Sequence, residues 1–271
     1  MPRGRSGRLG GGSRRAVLTL DDFVMLGKTV PEPNSDGRVF VCSAGYSPTL
    51  RQLIRVYPLS RYGAPSTWSV STVRLERNPH DSRAESFQLA GDRRPGVHDH
   101  INHVFEVSDA VPRPQRAQLL ARCVVGSIEE ANSPPYRSLA IVHPETLELE
   151  FEHNPASPES PQLALFDAPG AEPSGARRFP YIPRLRFRDA RGEHRYMLRD
   201  WGVYELMRKH DNLTQMSDGG RRKFVAGALH LDDTCSLLVG NQANRRTSWL
   251  VISVLRGLRA ERSLLDELEA A

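Results

Sequence analysis

The chain reads as mainly β with a few helices (α+β), arranged as two small antiparallel barrel-like domains joined by an unfolded linker. Three observations predict this. Short apolar runs of strand length recur along the 271 residues, several alternating with polar residues at period two. Turn formers punctuate them, with 21 Gly and 20 Pro in all. The patterning then fails over residues 154–176, where Pro155, Pro158, Pro161, Pro169 and Pro173 stand among Ser, Ala and Glu. Proline removes backbone donors and biases the residue before it towards extended geometry, so this stretch predicts a disordered linker.

Residues 1–15 carry Arg3, Arg5, Arg8, Arg14 and Arg15 between glycines and predict a disordered arm, either touching nucleic acid or only solubilising the chain. Residues 16–153 form the expected first domain, rich in strands. The run Val39-Phe40-Val41-Cys42 follows the turn residues Asn34-Ser35-Asp36-Gly37. In 52–57 the period places Leu53, Arg55 and Tyr57, with Arg51 before them, on one face. Residues 68–76 alternate again. A short helix is expected after Pro112 through Leu120. Residues 139–142 and 147–151, separated by His143-Pro144-Glu145-Thr146, read as a hairpin. Many short strands with one isolated helix suggest a small antiparallel barrel.

The second domain is expected over 177–256. Arg184, Arg186 and Arg188 alternate with Leu185 and Phe187, which puts three guanidiniums on one strand face. Asp189-Ala190-Arg191-Gly192 makes a turn and 193–198 returns. Asp200 is placed to cap a helix bearing Trp201, Tyr204 and Met207. A second helix is expected over about 219–229, strands at 236–239 and 249–255, and an amphipathic helix in the tail 257–271 through Leu264, Leu265 and Leu268.

The blocks 38–43, 53–58 (Leu-Ile-Arg-Val-Tyr-Pro), 75–87, 197–206 (with Asp200-Trp201) and 236–254 resemble those of an uncharacterised prokaryotic family of OB-like β-barrel proteins. The resemblance covers about half the chain and implies OB-like barrels, with no catalytic residues to carry over. Inside the linker, Gln162-Leu163-Ala164-Leu165-Phe166 resembles the peptide with which bacterial DNA polymerases and repair factors dock on the replicative sliding clamp. In that resemblance Leu163, Leu165 and Phe166 enter an apolar pocket and Gln162 bonds at its rim. The plainer alternative is a latch, in which the same residues pack back on a neighbouring domain.

No apolar run of about 18 residues exists, so no transmembrane helix is expected. Cys42, Cys123 and Cys235 are far apart and suit small hydrophobes in a reducing cytoplasm. The net charge is +5, yet 177–256 alone holds sixteen basic and eight acidic residues. That asymmetry suggests a polyanion, DNA or RNA. The expected contacts are Arg184, Arg186, Arg188, Arg191, Arg195, Arg199, Arg245 and Arg246 along phosphates, with Tyr181 and Tyr196 for base stacking. Paired with nearby acids, the same arginines would be an ordinary solvated sheet face. Arg51, Arg55 and Tyr57 form a weaker candidate. Glu76, Asp81 and Glu85 could hold a divalent metal as a nuclease does, or be a salt-bridged loop. His98, His100 and His103 lack companions at metal-ligand spacing. Without a phosphate-binding glycine loop, no cofactor is expected. The expectation is a non-catalytic nucleic-acid-binding protein tethered to the clamp, with a metal-dependent nuclease and a structural adaptor as alternatives.

Overall fold

A computed structural model describes residues 16–33, 39–59, 64–91, 105–154, 179–232, 234–243 and 245–258. The N-terminal arm, the histidine-rich segment, the 162–166 motif and the expected tail helix lie outside them. Within them the chain is mainly β, as the sequence predicts.

Strand β1 (Val17–Lys28) is bent by register shifts after Leu20 and after Met25. Its first half pairs with β5 (Ser69–Arg77) and its second half with β3 (Val39–Ser47). Extra residues in one strand bend it and increase its twist, which lets one strand turn the corner of a barrel. Strands β4 (Gln52–Leu59) and β6 (Ser86–Leu89) complete the ring in the order β1-β3-β4-β6-β5, closed by β1 on β5. β4 and β6 run parallel and the other pairs of the ring antiparallel. This closed five-strand barrel fits the OB-like expectation. Phe23, Met25, Val41, Ile54, Val56 and Leu75 fill its interior. β2 (Glu32–Pro33) lies beside β3, and β7 (Glu106–Ala110) beside β5.

A 3₁₀ turn (Arg113–Gln115), helix α1 (Arg116–Leu120) and a second 3₁₀ turn (Ala121–Cys123) lead to the second unit. Its middle sheet has the order β14-β13-β9-β8: β8 is Val124–Val125, β9 Leu139–Val142, β13 Ser236–Gln242 and β14 Arg245–Leu255. Both faces of this sheet are buried. Leu139, Ile141, Leu238 and Ile252 face the barrel, where they meet Val24, Leu26, Ala44, Tyr46 and Leu53. Ala140, Val142, Leu237, Val239 and Val251 face away, onto helices α3 (Trp201–Lys209) and α4 (Asp218–Leu229) and a three-stranded sheet. That sheet has the order β10 (Thr146–His153), β11 (Tyr181–Asp189), β12 (Gly192–Met197). Burial on both sides is why β9, β13 and β14 read as apolar runs while β10 to β12 alternate.

Three expectations need correction. β9 and β10 form no hairpin: β9 pairs with β8 and β13, while β10 pairs with β11 along its whole length. Buried on both faces, β9 belongs to a middle layer, whereas β10 exposes Thr146, Glu148 and His153. The second unit therefore begins near Val124, ahead of the 154–176 segment, which connects two neighbouring strands. His153 pairs with Tyr181, and the Asn154 backbone N–H donates to Pro180 O at 2.9 Å. Among the described residues the barrel is single, since the second unit is two open sheets.

Two glycines let barrel and middle sheet touch. A Cβ at Gly27 would stand 2.5 Å from Ser253 Cβ, and one at Gly240 3.0 Å from Arg55 Nη2. Polar bonds cross the same seam. Arg55 Nη2 donates to Ser138 O (2.9 Å), Ser138 N to Glu85 Oε1 (2.7 Å), and Arg83 Nη1 to Asn241 O (2.6 Å). Val30 N donates to Arg199 O at 2.7 Å.

Candidate nucleic-acid interface

The predicted guanidinium face forms as the period requires, but β10 brings its own charges to it. Glu148 lies opposite Arg186, Glu150 opposite Arg184, and across β12 Arg195 faces Arg186 and Glu193 faces Arg188. The side chains interlock. Arg184 Nε donates to Glu152 (2.5 Å), Arg186 Nε pairs with Glu150 (3.1 Å), and Arg188 Nη2 reaches Glu193 (3.1 Å). Arg195 donates to Glu150 (2.6 Å) and Glu152 (3.2 Å), and Arg222 of α4 reaches Glu148 (3.2 Å). The hydrogen bonds from Arg195 and Arg184 hold the carboxyls of Glu150 and Glu152 below their ordinary range. Arg199 pairs with Glu32 of the barrel. The basic surplus of 177–256 is thus offset where it is densest by Glu148, Glu150 and Glu152. The missed signal was legible: these glutamates alternate with Leu147, Leu149 and Phe151 in the same period as the arginines.

Arg191 is exposed on the β11–β12 turn, and Arg245 and Arg246 are exposed at the start of β14. Tyr181 and Tyr196 are half-buried and already stacked. The Arg221 guanidinium lies 3.5 Å from the Tyr181 ring centroid, and Tyr196 packs on His194 (5.4 Å) and Phe187 (5.7 Å). The buried Asp189 carboxylate ties this corner to α2 (Ile128–Ala131). It accepts from Ile128 N (2.8 Å), Arg191 N (2.9 Å), Gly192 N (3.1 Å) and His194 Nε2 (2.8 Å). Burial works against its charge, yet these donors hold its carboxyl below the ordinary range.

The barrel's β3–β4 face, with which OB barrels take oligonucleotides, is largely covered by the middle sheet. Arg55, an expected surface contact, is 5% exposed and its Nη1 donates to Cys42 Sγ as its Nη2 does to Ser138 O. Tyr57 does reach solvent, beside Phe40 at 6.3 Å. Arg51 is exposed in the β3–β4 turn at φ 52.

Glu76, Asp81 and Glu85 are drawn to separate partners. Gln88 Nε2 donates to Glu76, and Glu85 accepts from Ser138 N. Asp81 accepts from Arg83 Nη2 (2.5 Å) and Ser86 Oγ (2.7 Å). Burial opposes the Asp81 charge, but the Arg83 and Ser86 donors prevail and bring its carboxyl to about 2. Among the described residues no group of three or more His, Cys, Asp or Glu could hold a metal ion. Asp200 caps α3 as expected, accepting from Gly202 N (2.7 Å), and also accepts from Ser253 Oγ (2.6 Å). Cys123 is buried, which pushes its thiol up to about 11, in keeping with a small hydrophobe. No described helix is long and apolar enough to cross a membrane.

Residues 124–269 match the family model of a domain of unknown function, DUF8757, and residues 20–130 match that of a second, DUF8758. The two matches meet where α1 hands the barrel over to β8 and α2. No curated protein matches the chain.

Proposed function

The chain belongs to the family defined by the domain of unknown function DUF8757, and we propose that it binds nucleic acid without catalysing a reaction, held near DNA by the sliding clamp. The observation that supports the reading is a closed barrel with a single parallel pair, an architecture used widely for oligonucleotides, accompanied by exposed arginines such as Arg191, Arg245 and Arg246 that stand outside its covered β3–β4 face. Replication, repair and defence all fit such a protein.

The clamp half of the reading rests on sequence. Gln162-Leu163-Ala164-Leu165-Phe166 stands in the connection between β10 and β11, whose two ends are neighbours in one sheet. A peptide shown from such a base lets the folded units sit close to DNA while the clamp encircles it. Effective concentrations near millimolar make modest affinity sufficient.

Two measurements test it. Immobilised clamp should capture the wild type and not a Gln162→Ala, Leu165→Ala, Phe166→Ala variant, whose melting temperature stays unchanged. A melting temperature that falls markedly with these substitutions would favour the latch. Labelled single- and double-stranded DNA and RNA should be bound and stay uncut with Mg²⁺ or Mn²⁺. Metal-dependent cleavage that disappears in Asp81→Asn would replace the reading by the nuclease.

A further inference from the structure

We propose that the nucleic acid lies on the face built by the 113–123 ramp and the residue after β14, where Arg113, Arg116 and Arg256 stand together, with Arg122 further along the ramp, and where none of the four makes an ion pair among the described residues. This deepens the nucleic-acid reading and rests on it. None of the four was marked by sequence pattern, because they come from two distant stretches.

The helical ramp 113–123 crosses the seam between barrel and middle sheet. Leu120 and Cys123 anchor it in the core that Tyr46, Trp68, Leu255 and Leu258 share. Its arginines are left on the outside. Arg113, Arg122 and Arg256 are exposed, and Arg116 is half-buried with its guanidinium 4.5 Å from the Trp68 ring centroid. Arg116 Nε donates to Val111 O at 3.3 Å, which leaves its terminal nitrogens for a ligand. Gly257, at φ +74, turns the chain against Arg113, so that a Cβ there would stand 3.1 Å from the Arg113 Nε. Arg256 is thereby brought alongside. Burial lowers the affinity of Arg116 for its proton, and the charges of Arg113 and Arg256 lower it further. Further along, the charges of Arg122 and Arg51 reach Tyr46, whose hydroxyl is pushed up by burial and Cys123 and pulled back by both cations.

The acids at the rim hydrogen-bond to neutral donors, and the Arg113 charge adds to what lowers the Asp232 carboxyl without a contact ion pair. Asp232 accepts from Thr234 N (2.9 Å) and Oγ1 (2.6 Å), and Asp22 from Ser47 Oγ (2.8 Å) and Thr49 N (2.6 Å). Among the described residues no ion pair involves Arg113, Arg116, Arg122 or Arg256. Clustered guanidiniums repel one another until an anion sits between them. A guanidinium fork matches phosphate geometry in two N–H bonds, and all four cations here are arginine. A membrane is disfavoured because the exposed large apolar residues, Val17, Tyr57, Val107 and Tyr136, lie on neither α1 nor the end of β14.

The test is a matched pair of variants measured by fluorescence anisotropy over a salt series. Arg113→Ser with Arg256→Ser removes two unpaired cations; Arg186→Ser with Arg188→Ser removes the same charge from the sheet. The first should weaken binding about tenfold or more and flatten the salt dependence by about two ions. The second should cost less than about threefold. Melting temperatures of both should match the wild type, since exposed charges contribute little to folding. Equal losses, or none in the first variant, overturn the patch and leave the nucleic-acid reading standing. A wild type that binds no nucleic acid removes that reading, and the patch with it. Capture of an acidic polypeptide through the same arginines, with no nucleic acid bound, overturns both.

Discussion

On the β10–β12 sheet guanidiniums and carboxylates alternate across the strands, so that Arg184, Arg186, Arg188 and Arg195 each meet a glutamate within 3.1 Å. On the 113–123 ramp and just past β14, Arg113, Arg116 and Arg256 lie close enough for like charges to act on one another, and none makes an ion pair among the described residues. Both regions are arginine-rich, yet a net charge counted along the sequence marks the first and passes over the second. The difference teaches that a basic run is a statement about composition, whereas an anion responds to charge left over after register has paired it. Pairs on an exposed sheet contribute little to stability, but they do set what the surface offers a partner.

The hardest way to break this comparison is through an arginine that is buried, with its Nη1 paired to Asp218 at 2.8 Å and its other nitrogens turned to the backbone. Arg221 is 1% exposed, and its Nε and Nη2 donate to the carbonyls of Leu213 (2.8 Å) and Met216 (2.9 Å). Arg221→Met keeps much of the volume and strips two buried acceptors of their donors. It should cost about 3 kcal/mol, or a melting temperature lower by roughly 10 °C. A drop below about 2 °C would mean that this arginine, too, is merely a surface cation folded inward.

The next effect concerns a pair at the seam between the two units. The folded Asp81 carboxyl lies at about 2, below its unfolded value, so its contribution is complete above the unfolded pKa and is lost as pH falls through the folded one. Arg83, held by Asp81, is also the residue that reaches Asn241. Acidification from about pH 5 to about pH 2.5 should therefore destabilise the wild type by on the order of 2 kcal/mol more than Asp81→Asn. Urea unfolding at the two pH values measures it; parallel losses in both proteins would show that the pair is inert.

How far the sequence carried the fold follows the same logic. Strands with one wet face, such as β5, β11 and β12, announce themselves by period two. The Asp200 cap and the helix after it were equally legible, because capping is local. Pairing was not. β9 and β10 are consecutive and would ordinarily be partners, but one lies in the middle layer and the other in the outer sheet. Nor do composition and spacing reveal the bends of β1, which let one strand serve two neighbours. The candidate site suffered most: Arg55 and Arg221 look like surface arginines in the sequence, and only burial shows that they are structural.

The smallest expected effect sharpens the comparison most directly, because it converts one region into the other. Glu150→Gln with Glu152→Gln leaves the sheet's shape intact and removes the carboxylates that hold Arg184, Arg186 and Arg195. Glutamine can still accept one hydrogen bond, and exposed ion pairs are worth little, so stability should change by less than about 1 kcal/mol. The electrostatic change is larger. Two negative charges disappear, and three guanidiniums become available to phosphate. Nucleic-acid affinity at low salt should rise about tenfold, with a salt dependence steeper by about two released ions. Adding Arg113→Ser and Arg256→Ser to the same protein should then cost less than it does in the wild type, since a second basic face would compete for the ligand. If affinity is unchanged when the glutamates are gone, pairing is not what separates the two regions. The position of each face relative to the bound nucleic acid would then decide, and the β10–β12 sheet would stand outside the interface whatever its charge.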